Sequence, residues 1–578
     1  MAELEEILQK LLIPDNTVIQ QATAQLREAF KNPVIVPALV TVLGSSQNPQ
    51  VRQYAAVLLR RRVVKQWTKL TPEVHAMLRE SLLQVLLHEP EPVVRNSAAQ
   101  VVSVIAKHDL PANQWPKLLV FLQEHIKSDQ PLQREMGMFL LSSITESANE
   151  QLRPHFTSLF QLFSSTLEDQ QRHWTCLIEC VGTEEIPLVR PLIPKVVGFI
   201  NQILTIDEDK ACDAMEIFDE LVESEVSIVT PHLKTLVEFC LQIASNSSCG
   251  DNLRIKALYF VSWLARIKPK ALVKNKLLLP TLSVVFPLMA SPPSEDDELD
   301  EDDEDDEVED GTEASRPCAV ASQVLDILAL HFPPESVIPP LMQLVQPALA
   351  SEDPYKRKAA LIALAVLAEG CADYIRNRYL EAALQTICRG LSDENPLVQN
   401  AALFALGQYS EYLQPDISKY SADILPLLFE RLVNTSESGQ SLASVTRTYY
   451  ALETFCENLG EGILPYLPTL MEKLLLALSP STSAQMKELA ISAVGAAANA
   501  AKEAMLPYFP QIVDFIKEYL SNSGSVETNI LRVQAIDTLG VLARTIGPDN
   551  FMPLADECVQ LGMRLLEQDR DPDLRRCT

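Results

Sequence analysis

The sequence predicts an all-α fold, an α-α superhelix in which pairs of helices stack one after another into a solenoid. Three observations lead there. A small-apolar pair recurs as Ala363-Leu364, Ala405-Leu406, Ala451-Leu452, Ala493-Val494 and Thr538-Leu539, its second members 42, 46, 42 and 45 residues apart. A second motif, Leu464-Pro465-Tyr466-Leu467-Pro468, returns 42 residues later as Leu506-Pro507-Tyr508-Phe509-Pro510. Finally, 578 residues exceed one ordinary core, and the sparse glycine, 17 in all, beside abundant Ala and Leu favours helix.

Each repeat then reads as a helix A, a short turn, a helix B and a linker. The proline-rich motif opens helix A, because proline's missing N–H is not needed in a helix's first turn. Helix B opens on proline followed by a base: Pro49-Gln50-Val51-Arg52, Pro92-Val93-Val94-Arg95, Pro131-Leu132-Gln133-Arg134, Pro354-Tyr355-Lys356-Arg357 and Pro572-Asp573-Leu574-Arg575. These arginines are expected to bond acids in the turn of the adjacent repeat. Apolar residues then recur at helical spacing, as in Val398, Ala402, Leu406 and Tyr409, so one face is buried against a neighbour. Trp67, Trp115 and Trp263 are expected to fill gaps between helices.

The period matches HEAT or armadillo units, and two helices per period select a HEAT-repeat solenoid of about thirteen full pairs plus a truncated one. The last pair breaks off at Asp571–Thr578 with no polar cap, so the chain reads as the N-terminal part of something longer. One unit reads as short. Pro154, Pro191 and Pro231 open consecutive A helices at spacings of 37 and 40, with a brief helix near Gln170–Val181 between the first two. The expected divisions are repeats in 1–110, repeats four to eight in 111–290, an insertion in 291–316, and the remaining repeats in 317–578.

That insertion is the densest charge in the chain. Glu295, Asp296, Asp297, Glu298, Asp300, Glu301, Asp302, Asp303, Glu304, Asp305, Asp306, Glu307, Glu309 and Asp310 crowd into 16 residues. From Arg254 to Arg357 is 103 residues, against roughly 85 for two repeats, so the run falls between helices A and B of the eighth unit. Like charges at this density repel, stay unfolded and attract basic partners.

The net charge is −29, and removing the run leaves an excess of 15 acids. That balance argues against direct nucleic-acid binding, which needs a basic surface. The sequence contains no phosphate-cradling glycine loop, no HExxH and no CxxC, so it offers no catalytic constellation and calls for no cofactor. His173, Cys176 and Cys180 share one short helix, but zinc needs four ligands, and ordinary packing explains them better. Eleven scattered cysteines suit a reducing compartment. The acidic Met1–Glu6 is no signal peptide, and Leu277–Ala290, broken by Pro280, is too short to span a bilayer. A cytosolic or nucleocytoplasmic protein that meets no membrane is expected.

Two further features are candidate binding surfaces. In the helix Asp207–Glu223, the acids Asp209, Asp213, Glu216, Glu220 and Glu223 fall at spacings of 4, 3, 4 and 3, along one face, with Met215, Phe218, Leu221 and Val222 buried opposite. Aligning the Ala-Leu pairs carries that face onto Tyr450, Glu453 and Glu457, and onto Phe404, Gly407 and Glu411. Asn400, Gln408 and Asn458 flank this track and could bond an extended peptide. An aromatic beside a carboxylate can hold a basic side chain. The early repeats put Gln53, Arg60, Arg61, Asn96, Gln100 and Lys107 on the matching face, so the surface runs from basic to acidic along the chain.

These residues resemble a known family. Ala22-Thr23-Ala24-Gln25-Leu26, Pro37-Ala38-Leu39 and Val51–Leu59, ending near Trp67, are similar to the N-terminal domain of the importin-β (karyopherin-β) transport receptors. Asn400–Gln408, Tyr450–Glu453, Glu457–Gly460 and Lys487–Ala490 also resemble that family. The resemblance implies that the GTP form of the Ran GTPase binds the B helices of the first repeats, where Gln53, Arg60, Arg61, Asn96, Gln100 and Lys107 are the candidates. It implies basic cargo, such as histones and ribosomal proteins, on the acidic track, released when Ran-GTP binds in the nucleus. It also implies contacts between A helices and Phe-Gly nucleoporins, and shuttling between cytoplasm and nucleus. The alternative is a HEAT scaffold, or a chaperone for basic proteins, without transport.

Overall fold

The computed structural model describes residues 2–578 apart from 33, 131, 132, 135, 142, 145–185, 225, 226, 293–315, 436–441, 481, 522–525 and 569–571. The described residues contain helices and turns and no strand, as an all-α helical-repeat superhelix requires. The backbone divides into two compact units, Met1–Phe239 and Cys240–Thr578.

Local chemistry starts the helices where the sequence predicts. B helices run Pro49–Gln66, Pro92–Asp109, Pro354–Gly370 and Pro396–Tyr412, each with proline in its first turn. Three of these prolines follow a capping side chain. Asn48 accepts from the Gln50 amide at 2.9 Å, Asp353 from Tyr355 at 3.0 Å and Asn395 from Leu397 at 2.9 Å, satisfying amides that the helix leaves unpaired. The A helices Leu467–Ala477 and Phe509–Ser521 begin within the proline motifs, immediately before Pro468 and Pro510.

A helices such as Ile35–Ser45, Leu380–Leu391 and Leu467–Ala477 pack on their own B helices, and B helices pack on the next B helix in closer backbone contact than A on A. The Ala-Leu positions lie in that seam. Ala363, Ala405 and Ala451 are fully buried, and Thr538 donates its hydroxyl to the Ile491 carbonyl at 3.1 Å across it.

Two of the five predicted arginines at B-helix starts, Arg52 and Arg357, bond the next turn's acid, while Arg134 donates to the Ser128 carbonyl at 2.8 Å. Arg52 grips Glu89 with Nε and Nη2 at 2.9 and 2.8 Å and the Ser46 carbonyl at 2.9 Å. Arg357 repeats this in the second unit, on Asp393 at 2.9 Å and on the Ser351 carbonyl at 2.9 Å. Such two-pronged, charge-assisted contacts fix direction as well as distance. Trp67 is buried, and its Nε1 donates to Asp109 Oδ1 at 3.0 Å, while Arg79 Nε donates to the other oxygen at 2.7 Å. Trp115 is buried too, but Trp263 is only partly covered, so it is less of a gap-filler than predicted.

The helices Leu278–Met289 and Pro317–His331 bracket the acidic run and pack on each other as an A–B pair. The run itself, the short unit near Gln170–Val181, and His173, Cys176 and Cys180 lie outside the described residues.

Candidate functional site

The predicted track of the second unit resolves into three rows with different surroundings. The first is buried. Asn400 and Phe404 are 5% and 7% exposed, and Arg447 lies over the Phe404 ring with its guanidinium carbon 5.6 Å from the centroid. Arg447 Nη1 also donates to the Asn400 carbonyl at 3.4 Å. These two residues therefore do not face a peptide. The B helix Pro396–Tyr412 is enclosed by B helices on both sides and by its own A helix, so an outward track cannot begin at its first two turns.

The second row is the seam itself, where the register positions read Ala365, Gly407, Glu453, Gly495 and Gly540. A Cβ on Gly407 would lie 2.2 Å from Tyr450 Cε1, so the Tyr450 ring rests on bare backbone. One repeat on, the sizes reverse. Glu453 takes the small position, and Ser492 stands where Tyr450 stood. Burial pushes the Glu453 carboxyl up to about 7, helped by Glu457 and opposed by the Ser492 hydroxyl.

The third row is open. Glu369, Glu411 and Glu457 are exposed, at spacings of 42 and 46. Asp326, 43 residues before Glu369, is half-buried, and burial and Glu369 push its carboxyl up to about 6. Tyr412 hydrogen-bonds Glu369, and Tyr450 donates to Glu411 at 3.0 Å while accepting from Gln408 at 3.0 Å. Asn458 is exposed, but its amide is engaged by the Thr454 and Ser410 carbonyls at 2.8 and 3.3 Å. Gln408 and Asn458 thus orient the row rather than offering free donors. Together these carboxylates form a ladder suited to lysine and arginine side chains.

In the first unit, Arg61, Asn96, Gln100 and Lys107 are exposed on the B helices Pro49–Gln66 and Pro92–Asp109, while Gln53 and Arg60 are partly covered. Arg60 donates to Gln100 across the seam. On the helix Glu208–Ser224, Asp209 and Glu216 are exposed and Asp213 is half-covered, with Met215 and Phe218 buried opposite as predicted. The side chains of Glu220 and Glu223 lie outside the described residues.

On the A side of the second unit, a cavity of about 460 Å³ opens between the helices Pro334–Leu349 and Leu380–Leu391. Ile338, Met342, Ile375, Tyr379 and Ala383 line it, and Arg389 is its cation. No group of metal-ligating side chains and no helix long and apolar enough to cross a membrane occurs among the described residues.

Three family models match in order: Importin-beta N-terminal domain over residues 22–88, IPO5-like TPR repeats over 90–239, and Importin subunit beta-1-like TPR repeats over 369–530. Importin-4 of Homo sapiens is 44% identical over the whole chain, which covers 54% of that relative. The chain belongs to the importin-β family. A probable importin subunit beta-4 of Schizosaccharomyces pombe is 29% identical over all of the chain and 53% of its own length. This importin-β family chain thus spans about half the length of the curated relatives it matches. Crystal structures of Kap121p bound to Pho4p and to RanGTP share the fold, with TM-scores of 0.82 and 0.78 at 24% identity, over all of this chain and 56% and 55% of theirs.

Sequence reasoning missed Asp326 and Glu369. Carrying the register back one repeat from Glu411 would have reached Glu369. Its companions at the aligned positions of that repeat, Ile362 and Ala365, are apolar.

Proposed function

We propose that this importin-β family chain acts in nuclear import, carrying basic proteins such as histones or ribosomal proteins on the carboxylate ladder of its second unit. The observation that carries this reading is the open row of Glu369, Glu411 and Glu457, continued by half-buried Asp326. Steering by such a row accelerates encounter with basic partners and discriminates against acidic ones. The acidic run Glu295–Asp310 adds fourteen further carboxylates to the chain's negative charge. The stripe of Asp209, Asp213, Glu216, Glu220 and Glu223 is a second cargo surface in this reading.

The exposed Arg61, Asn96, Gln100 and Lys107, with Gln53 and Arg60, are the proposed contacts for Ran-GTP, whose binding releases cargo. The apolar cavity between A helices is proposed to take a phenylalanine ring of a Phe-Gly nucleoporin. Kap121p has been solved with RanGTP and with Nup53p, which supports both partner classes. The protein would then shuttle between cytoplasm and nucleus.

The test is capture of this chain on Ran loaded with GTP or GDP, in the presence of a bound core histone. Capture by the GTP form with release of histone is expected. Equal capture by both forms, or none, rejects transport and leaves a chaperone for basic proteins.

A further inference from the structure

Glu453 is a carboxylate placed where the other aligned repeats carry only alanine or glycine: Ala365, Gly407, Gly495 and Gly540. It is wedged into the B-helix seam, and its Oε1 is buried with no hydrogen-bond partner among the described residues. Resting on the cargo reading above, we propose that Glu453 is where a docked basic side chain displaces a proton. A lysine or arginine of the partner ion-pairs with Glu457 and Glu453, and the proton leaves the Glu453 carboxyl for solvent.

The surroundings support this exchange. From its own helix, Leu442–Leu459, the groups Glu457, Tyr449 and Cys456 act on or are acted on by Glu453. From the next helix, Ala484–Ala501, Ser492 reaches it, and that helix also carries Glu488. The preceding helix brings Glu411, which holds Tyr450 one turn away.

The cations on these elements are committed elsewhere. Arg447 lies over Phe404, Arg431 donates to Gln399 at 2.6 Å, and Lys419 pairs with Asp416. Lys487 lies 5.7 Å from the Tyr519 ring centroid, and Lys502 is 3.8 Å from Glu461. A buried acid beside another acid is stable when protonated, and an incoming ammonium reverses that preference. Glu457, exposed one turn on, is the first contact, and Glu453 is the second.

Octalysine is a suitable probe, because lysine does not titrate near neutrality. Binding to the full chain is measured by calorimetry at low salt, in phosphate and in Tris, so that the buffers' ionisation heats count the protons released. With Glu453 half-protonated near pH 7, roughly half a proton per bound peptide is expected there, and affinity about twentyfold tighter at pH 8 than at pH 6, about tenfold of it from Glu453 and about twofold from Asp326. In Glu453→Gln the release falls close to zero, and the pH effect shrinks to about twofold, the share left to Asp326. Binding by the unaltered chain without proton release, or an undiminished pH effect in Glu453→Gln, overturns the exchange while leaving the ladder in place. No binding of octalysine at any pH overturns the cargo reading, and the exchange with it.

Discussion

Among the described residues, each unit sets a carboxylate into a B-helix seam, Asp109 in the first and Glu453 in the second, and the two are treated in opposite ways. Asp109, in the first unit, is 1% exposed and has both oxygens engaged, by Trp67 and by the Arg79 guanidinium. Glu453, in the second, has Ser492, the like charge of Glu457 and an unpartnered oxygen. Asp109 fastens one repeat to the next. Glu453 has only the Ser492 hydroxyl across its seam and no cation, and its burial carries an electrostatic cost. A buried ion is a support when its cation is built in, and a vacancy for charge when it is not.

The largest expected effect breaks the supported side of this contrast. Asp109→Asn leaves Arg79 facing an amide, and should lower stability by about 3 kcal/mol, read from urea unfolding. An unchanged midpoint would mean that Asp109 is no more a support than Glu453 is. Next, reversing Glu369, Glu411 and Glu457 together to lysine should weaken binding of a basic peptide about a hundredfold at low salt. Capture by Ran-GTP should be unaffected, since its proposed contacts lie in the first unit. Loss of both would show that the two surfaces are not separable.

Glu453→Gln should act in the opposite direction to Asp109→Asn, although both exchange an acid for an amide. The Glu453 carboxyl stands above its ordinary value, so the protonated form favours the fold, and that contribution is lost as pH rises from about 4.5 through about 7. The amide keeps the uncharged state, so the variant should be more stable than the parent at pH 8, by on the order of 2 kcal/mol, and nearly equal to it at pH 4. Melting temperatures at the two pH values decide this. The smallest effect is expected for reversing Asp213 and Glu216, about threefold in basic-peptide affinity, because an exposed stripe is readily screened.

The fold was legible because its determinants are local and repeated. Proline at a helix start, a base three residues on and an Ala-Leu pair every 42 to 46 residues each have one structural meaning here. The surface was legible only in part. Periodicity separates a buried face from an open one when a helix has one neighbour. A B helix has three, so Val398 is buried, as is every residue from Asn400 to Gly407, and the open face narrows to Gln408 and Glu411. Asn400 and Phe404 were misplaced for that reason. Glu453 was assigned to the acidic face correctly in register but not in depth, since depth depends on the volume of Ser492 across the seam, which no pattern in one helix reveals.

The arginine grips of Arg52 on Glu89 and Arg357 on Asp393 each join one repeat to its immediate successor. Fasteners of that range act in series, like the pins of a watch bracelet. Loosening one softens a single joint and leaves the others at full stiffness. An extra length of chain can therefore be let in between Met289 and Pro317, within one link, without either of these pins being moved.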